Sequence, residues 1–339
     1  MTVAGSPQIP SRYKGPGLFD AQVNGFDRFD FNSPAEEWKS EELHRLRLSM
    51  RRRGIVRALP TLITDEPPRM LARARRFREL IEADATLEAV FPRLHIEGPF
   101  ISSEDGPRGA HSLAFSRAPA QAPDFLERLR EASGDRIGIV TLAPELDGAL
   151  EFIEKAASAG IVAAIGHTAA SASTIGAAVR AGARLSTHLG NASHPLLPRL
   201  DTYIYAQLAE DDLMASFIAD GHHIPYFTLK CFLRAKTPGR SILVSDAIAA
   251  AGAGPGRYML MGEEVIVSRD LRAAKPGQPN LAGSALTLDR GVLNVALHCD
   301  ASFEEAWRMA STAPAALLGM ADPPEIEVDV SSDGFAICE

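Results

Sequence analysis

"LHIEGPF", residues 94–100, sets a histidine and a glutamate two residues apart in a short apolar run that stops at Gly98-Pro99. A run of this length bounded by Gly-Pro reads as a buried strand, and residues i and i+2 of a strand share a face, so His95 and Glu97 look the same way. Glutamate is almost never fully buried unless something balances its charge. A cation at the end of the strand is one such partner, and a cation calls for further ligands elsewhere in the chain.

Seven comparable runs surround this one: "GLFDAQVNG" (17–25), "VRALPTLIT" (56–64), "IGIVTLAPE" (137–145), "IVAAIGHT" (161–168), "ARLSTHLGNA" (183–192), "MASFIADG" (214–221) and "SILVSDA" (241–247). Between them lie stretches with helical spacing of apolar residues, among them 35–53, 67–84, 123–133, 147–159 and 170–182. Strand followed by helix, eight times, predicts an α/β fold, a (β/α)8 TIM-type barrel over residues 17–320. A doubly wound open sheet is the alternative for any alternating pattern, but no G-x-G-x-x-G follows the first strand. Residues 1–16 are expected to form an N-terminal extension and 321–339 a short tail. After the eighth run, 251–284 reads as a long loop carrying a hairpin with Met261-Gly262-Glu263 at its turn.

With 46% hydrophobic and 23% charged residues, the chain has the composition of a globular domain. A formal net charge of −8 offers no general attraction to nucleic acid or to anionic membrane, both of which need clustered Lys and Arg. The basic clusters, Arg51 to Arg53 and the arginines at 69, 73, 75, 76 and 78, fall in helical stretches and read as solvated faces. Cys231, Cys299 and Cys338 form no CxxC, which argues against a disulfide framework or a zinc ribbon and suggests a reducing compartment. No signal-like N-terminus and no run of 18 apolar residues is present, so a cytoplasmic protein is expected.

Active sites of such barrels lie at the C-terminal ends of the strands. Those ends here carry Gln22 and Asn24, His95 and Glu97, His167, His188 and Asn191, Asp220 and His223, and Asp246. A single buried histidine is more readily a hydrogen-bonded core group than a ligand; so many at one face are not. Two imidazoles, one carboxylate and an open position are the ligand set of catalytic zinc, and Glu97, His167 and His188 supply it. Asp246 is placed to accept a proton and return it to a leaving amine. A barrel that binds a metal without catalysis is the bland alternative, but it has no use for that acid/base carboxylate. "GAGPG" (252–256) lacks the Lys-Ser/Thr of a P-loop, and His194 and His298 read as solvent or packing residues.

"HIEGPF", "GAH" (109–111), "TLAPE", "IGHT", "THLGNA", "IADGHH", "VSDAIAAAG" and "LAGSALTLD" occur in an order and strand placement that resembles the N-acetylglucosamine-6-phosphate deacetylases of the amidohydrolase superfamily, over about residues 16–320. The resemblance implies Glu97, His167 and His188 as ligands of one divalent metal, most readily Zn2+, and Asp246 as catalytic acid/base. It implies substrate contacts from His111 and His223, the latter polarising the amide carbonyl. Asn191 and Ala192 match positions that hold the sugar phosphate. Arg199 matches, by its distance from His188, an arginine reaching in from a neighbouring subunit of a homodimer. His222 stands where the family has an apolar residue and receives no role. Where most amidohydrolases have His-x-His and a second metal, this chain has Gln22-Val23-Asn24, so the resemblance implies a vacant second site. The family's small β-sandwich is expected to be missing or vestigial. The substrate implied is a phosphorylated amino sugar; the alternative within enzymes is another N-acyl amino sugar or an N-acyl amino acid.

Overall fold

The eight apolar runs become eight parallel strands: β1 (Leu18–Val23), β2 (Ile55–Ile63), β3 (Leu94–Glu97), β4 (Ile137–Leu142), β5 (Val162–Ile165), β6 (Ala183–Ser186), β7 (Met214–Ile218) and β8 (Ser241–Val244). The structure is a computed structural model that describes residues 9–260, 263–278 and 280–338. Each strand pairs with the next in chain order. The sheet closes on itself where the Asp246 amide donates to the Gln22 carbonyl (3.0 Å) and the Asn24 amide to the Ala247 carbonyl (2.9 Å). The expected (β/α)8 barrel is therefore what the chain forms, with helices between the strands.

Local signals set the helix ends. Ser171 caps Ala172–Ala181 by accepting from the Thr174 amide, and the helix stops at Gly182, whose φ of 118° glycine tolerates best. Phe125–Ser133 stops in the same way at Gly134.

Alternation along the strands then sorts the interior into layers. Phe19, Leu59, Ile139, Ala164, Leu185, Ile218 and Ile242 fill the barrel with apolar side chains, closed below by Ala315 and Leu318. Two residues further along, the inward positions turn polar: Ile139 is followed by Thr141 and Leu185 by Thr187, and the His95, Glu97 pair belongs to the same upper layers.

Three features differ from expectation. Arg73 is no solvated residue: it is 5% exposed, donating to Asp65 (2.8 Å) and to the Ser33 carbonyl (3.0 Å), so it closes a loop against the barrel. The segment after β8 carries a four-stranded antiparallel sheet rather than a single hairpin: Gly256–Leu260, Glu263–Val267, Arg272–Ala274 and Leu281–Ser284. Of its expected turn, Met261 and Gly262 lie outside the described residues. Finally, the two chain ends meet. Arg12–Pro16 pairs with Glu325–Ser331, which pairs with Gly334–Ile337, and Tyr13 and Phe335 of this three-stranded sheet pack against Trp307. The resemblance expects the family's small β-sandwich to be missing or vestigial; the described chain ends form this three-stranded sheet. No helix among the described residues is long and apolar enough to cross a membrane.

Candidate metal centre and active site

Glu97 ends β3 3% exposed, and its Oε1 lies 3.1 Å from His167 Nε2 and 2.9 Å from His188 Nε2. The ligand atoms of these three buried residues all fall within 4.8 Å of one another, and among the described residues they form a possible metal-holding group. Burial alone pushes a carboxyl pKa up, but the hydrogen bonds and charge of His167 and His188 outweigh it and hold Glu97 well below its usual range.

The hydrogen bonds around this cluster favour a cation at its centre. His167 Nδ1 lies 3.0 Å from the Pro107 carbonyl, which can only accept, so the ring's hydrogen sits on Nδ1 and the Nε2 lone pair faces Glu97. Two acceptors face to face repel, so Nε2 and Glu97 need a positive charge between them, which a shared proton or a metal ion supplies. Fixing the outer nitrogen on a carbonyl is how proteins orient ligating histidines. His188 Nδ1 is buried without a partner. The donor set therefore fits a divalent metal.

Backbone strain concentrates at the same place. His167 (φ 53°), His188 (φ 30°) and Asp246 (φ 48°) all adopt the left-handed region that side chains with a Cβ usually avoid. The turns bend these side chains inward from the strand ends. Glu145 clamps the turn after His167, accepting from Thr168 Oγ1 (2.5 Å) and the Ala169 amide (2.7 Å).

Both amides at the end of β1 point into the site and are engaged. Gln22 Nε2 donates to Glu97 Oε1 (3.0 Å), and Asn24 Nδ2 donates to Asp246 Oδ1 (2.7 Å), while Asn24 Oδ1 stays buried without a partner. Asp246 is raised to about 6, by burial first and by the negative charge of Glu97 second.

His111 arrives on the 98–118 loop. Its Nδ1 lies 2.9 Å from Thr64 Oγ1, its Nε2 4.0 Å from Glu97 Oε2, and its ring packs edge-on to His167. Burial lowers it to about 3, with the charge of His167 next in size, so it is neutral near pH 7. Gly109 explains the close approach: a Cβ there would sit 3.3 Å from Ala192 Cβ and 3.4 Å from His167 Cε1.

His223 Nδ1 lies 2.6 Å from Asp220 Oδ2, and the His222 and His223 amides both donate to Asp220 Oδ1. Burial pushes the Asp220 carboxyl up, but the hydrogen bond from His223 outweighs it and holds it low. His222 faces away, its Nε2 donating to the Asp270 carbonyl (2.8 Å) of the four-stranded sheet.

Asn191 and Ala192 line the loop directly after His188, with the Asn191 amide donating to the His188 carbonyl. His194, expected as a solvent or packing residue, bonds Tyr203 and pairs with Glu104. Arg199 is exposed further along the loop and shares no hydrogen bond or ion pair with the cluster among the described residues. His95 is not a ligand; it bonds the Ala21 carbonyl and Thr141, one layer below. Sequence reasoning gave no role to Asp220, Glu145, Thr64, Thr141 or Thr187. Only Asp220 carried a signal, three residues before a histidine at a strand end.

No known family profile matches the chain. It is 36% identical over 315 residues to an N-acetylglucosamine-6-phosphate deacetylase of Bos taurus, covering 90% of this chain and 74% of that one. It is 32% identical over 307 residues to an N-acetylgalactosamine-6-phosphate deacetylase of Escherichia coli O157:H7, covering 90% and 78%. A solved structure of a variant N-acetyl-D-glucosamine-6-phosphate deacetylase from Mycobacterium smegmatis, in complex with N-acetyl-D-glucosamine-6-phosphate, superposes with a TM-score of 0.85 at 27% identity, over 99% of this chain and 90% of that one. With identity of this level running through nearly the whole barrel, the chain belongs to the N-acetylglucosamine-6-phosphate deacetylase family.

Proposed function

We propose that the protein hydrolyses the acetamido group of N-acetylglucosamine 6-phosphate, giving glucosamine 6-phosphate and acetate. The convergence of Glu97, His167 and His188 beside a carboxylate whose pKa lies near 6 carries this reading. Those three residues would hold one divalent ion, most readily zinc, which when bound polarises the acyl carbonyl and acidifies water. Asn24 occupies Asp246 Oδ1, leaving Oδ2 to take the proton of the attacking water and return it to the leaving amine. Asp220 fixes His223 Nδ1, leaving Nε2 to meet the carbonyl oxygen as charge develops on it. Gln22 and Asn24 donate into the carboxylates where a second metal would otherwise sit. Metal analysis of purified protein should therefore give about one ion per chain; two would overturn the single-metal reading.

The phosphate reading rests on Asn191 and Ala192 beside His188 and on Arg199. Leu196 (89% exposed) and Leu200 (76%) flank Arg199, and Phe227 (74%) lies on the helix Tyr226–Lys236, which packs against Tyr203–Ala209. The exposed leucines flanking Arg199 support a homodimer in which Arg199 serves the neighbouring site. Arg199→Ala should raise KM more than it lowers kcat, because a remote charge contact contributes binding common to ground and transition states. The three cysteines are unpaired, in keeping with a cytoplasmic enzyme.

A panel of N-acyl sugars and N-acyl amino acids, each with and without phosphate, tests the assignment. Faster turnover of N-acetylglucosamine 6-phosphate than of the plain sugar is expected. Equal rates, or activity confined to acyl amino acids, would overturn it. The E. coli relative makes N-acetylgalactosamine 6-phosphate, which differs only at C4, the necessary comparison within the panel.

A further inference from the structure

Directly beneath the ligand atoms runs a buried hydrogen-bonded row. His95 Nδ1 lies 3.1 Å from the Ala21 carbonyl oxygen, His95 Nε2 lies 2.7 Å from Thr141 Oγ1, and Thr141 Oγ1 lies 2.7 Å from Thr187 Oγ1. All three side chains are buried. The carbonyl can only accept, so a neutral His95 carries its hydrogen on Nδ1 and accepts at Nε2. Thr141 must then donate to His95, which leaves its oxygen to accept from Thr187. Polarity is fixed along the whole row, and no member carries charge.

The row touches every strand that bears a ligand. Thr187 immediately precedes His188, and His95 lies two residues before Glu97 on the same face. Thr141 is the register partner of Glu97 across the β3 and β4 ladder. Ala21 precedes Gln22, whose amide donates to Glu97. The fifth link is steric: a Cβ on Gly166, the residue before His167, would lie 2.7 Å from Thr141 Cγ2 and 2.9 Å from Thr187 Cβ. Thr141 alone meets β3 and β6 through its hydroxyl and the end of β5 through its methyl.

We infer that Thr141 is a positioning residue for the metal centre: its hydroxyl and methyl set the spacing at which Glu97, His167 and His188 converge. The inference rests on the metal reading of that site. It differs from a purely structural role, since the barrel's apolar layers below do not depend on the Thr141 hydroxyl.

Thr141→Val keeps the side-chain shape and the contact with Gly166 but removes both hydrogen bonds. Zinc affinity measured by chelator competition should fall about tenfold, the size of effect that loss of an outer partner of a metal ligand produces. The visible spectrum of the cobalt-loaded protein should change with it, while the circular dichroism of the barrel is retained. Thr141→Ser, which keeps the hydroxyl, should restore most of the affinity. Unchanged zinc affinity and an unchanged cobalt spectrum in Thr141→Val would overturn the inference and leave the metal reading standing. Failure of the unaltered protein to bind zinc or cobalt would overturn both. Should Thr141→Val not fold, Thr187→Val is read by the same criteria, since it removes the row's hydrogen bond nearest His188.

Discussion

Asp246→Asn should leave the barrel folded and its metal affinity close to that of the unaltered protein, and should lower kcat by about 10² to 10⁴, the usual contribution of a positioned acid/base. Asparagine is nearly isosteric and keeps an oxygen for the Asn24 amide to donate to. What it loses is the ability to accept a proton. The same residue sets an acid limb in the unaltered enzyme. Burial and the charge of Glu97 raise Asp246 to about 6 in the bare protein, and the base must be ionised to act, so kcat/KM should fall on an acid limb governed by this group. Binding of a divalent cation by Glu97 offsets the negative charge that helps to raise Asp246, so the limb should move to lower pH in the loaded enzyme. The limb should vanish from the residual activity of Asp246→Asn. A variant that turns over at the normal rate, or that keeps the limb, would show that Asp246 is not the base.

Much of this was legible before any coordinates, and the residues show why. His167, His188 and Asp246 stand out because a strand that is otherwise apolar has no packing reason to end in them. Glu97 stands out because its charge needs a partner. Thr141 and Thr187 are invisible for the opposite reason. Threonine is a good strand residue, so "IGIVTL" and "ARLST" read as strand whether or not the hydroxyl bonds anything. Their role depends on which neighbour stands across the barrel, and that is a property of the closed sheet. Arg73 misled because helical spacing gives the periodicity of a face but not what covers it. Likewise the sheet at 256–284 looked like a loop because Arg272–Ala274 and Leu281–Ser284 are short and carry no β-branched residues. The pairing of the two chain ends has no local signature at all, since Arg12 and Asp329 meet across 317 residues.

Glu97→Gln should abolish metal retention and, with it, activity. The glutamine keeps the shape of the side chain but removes the only anionic member of the cluster, leaving two imidazoles and a neutral amide oxygen. Loss of an outer-shell partner costs up to about a hundredfold in metal affinity, and removal of a charged ligand should cost more than that. The effect can be read without an assay of turnover. A metal that binds only the folded state stabilises it by about 2.7 kcal/mol at a free concentration one hundred times its Kd. The unaltered protein should therefore unfold at higher denaturant concentration when zinc is added and return to its former midpoint with chelator, whereas Glu97→Gln should show one midpoint in both conditions. Without metal the substitution should be tolerated. Glu97 in the bare protein is a buried carboxylate held in its ionised form by two histidines and an amide, and exchanging it for a neutral isostere removes the need for that compensation. A glutamine variant that still gains stability from zinc would mean that His167 and His188 hold the ion without Glu97, and the account of why β3 ends in a buried carboxylate would have to be abandoned.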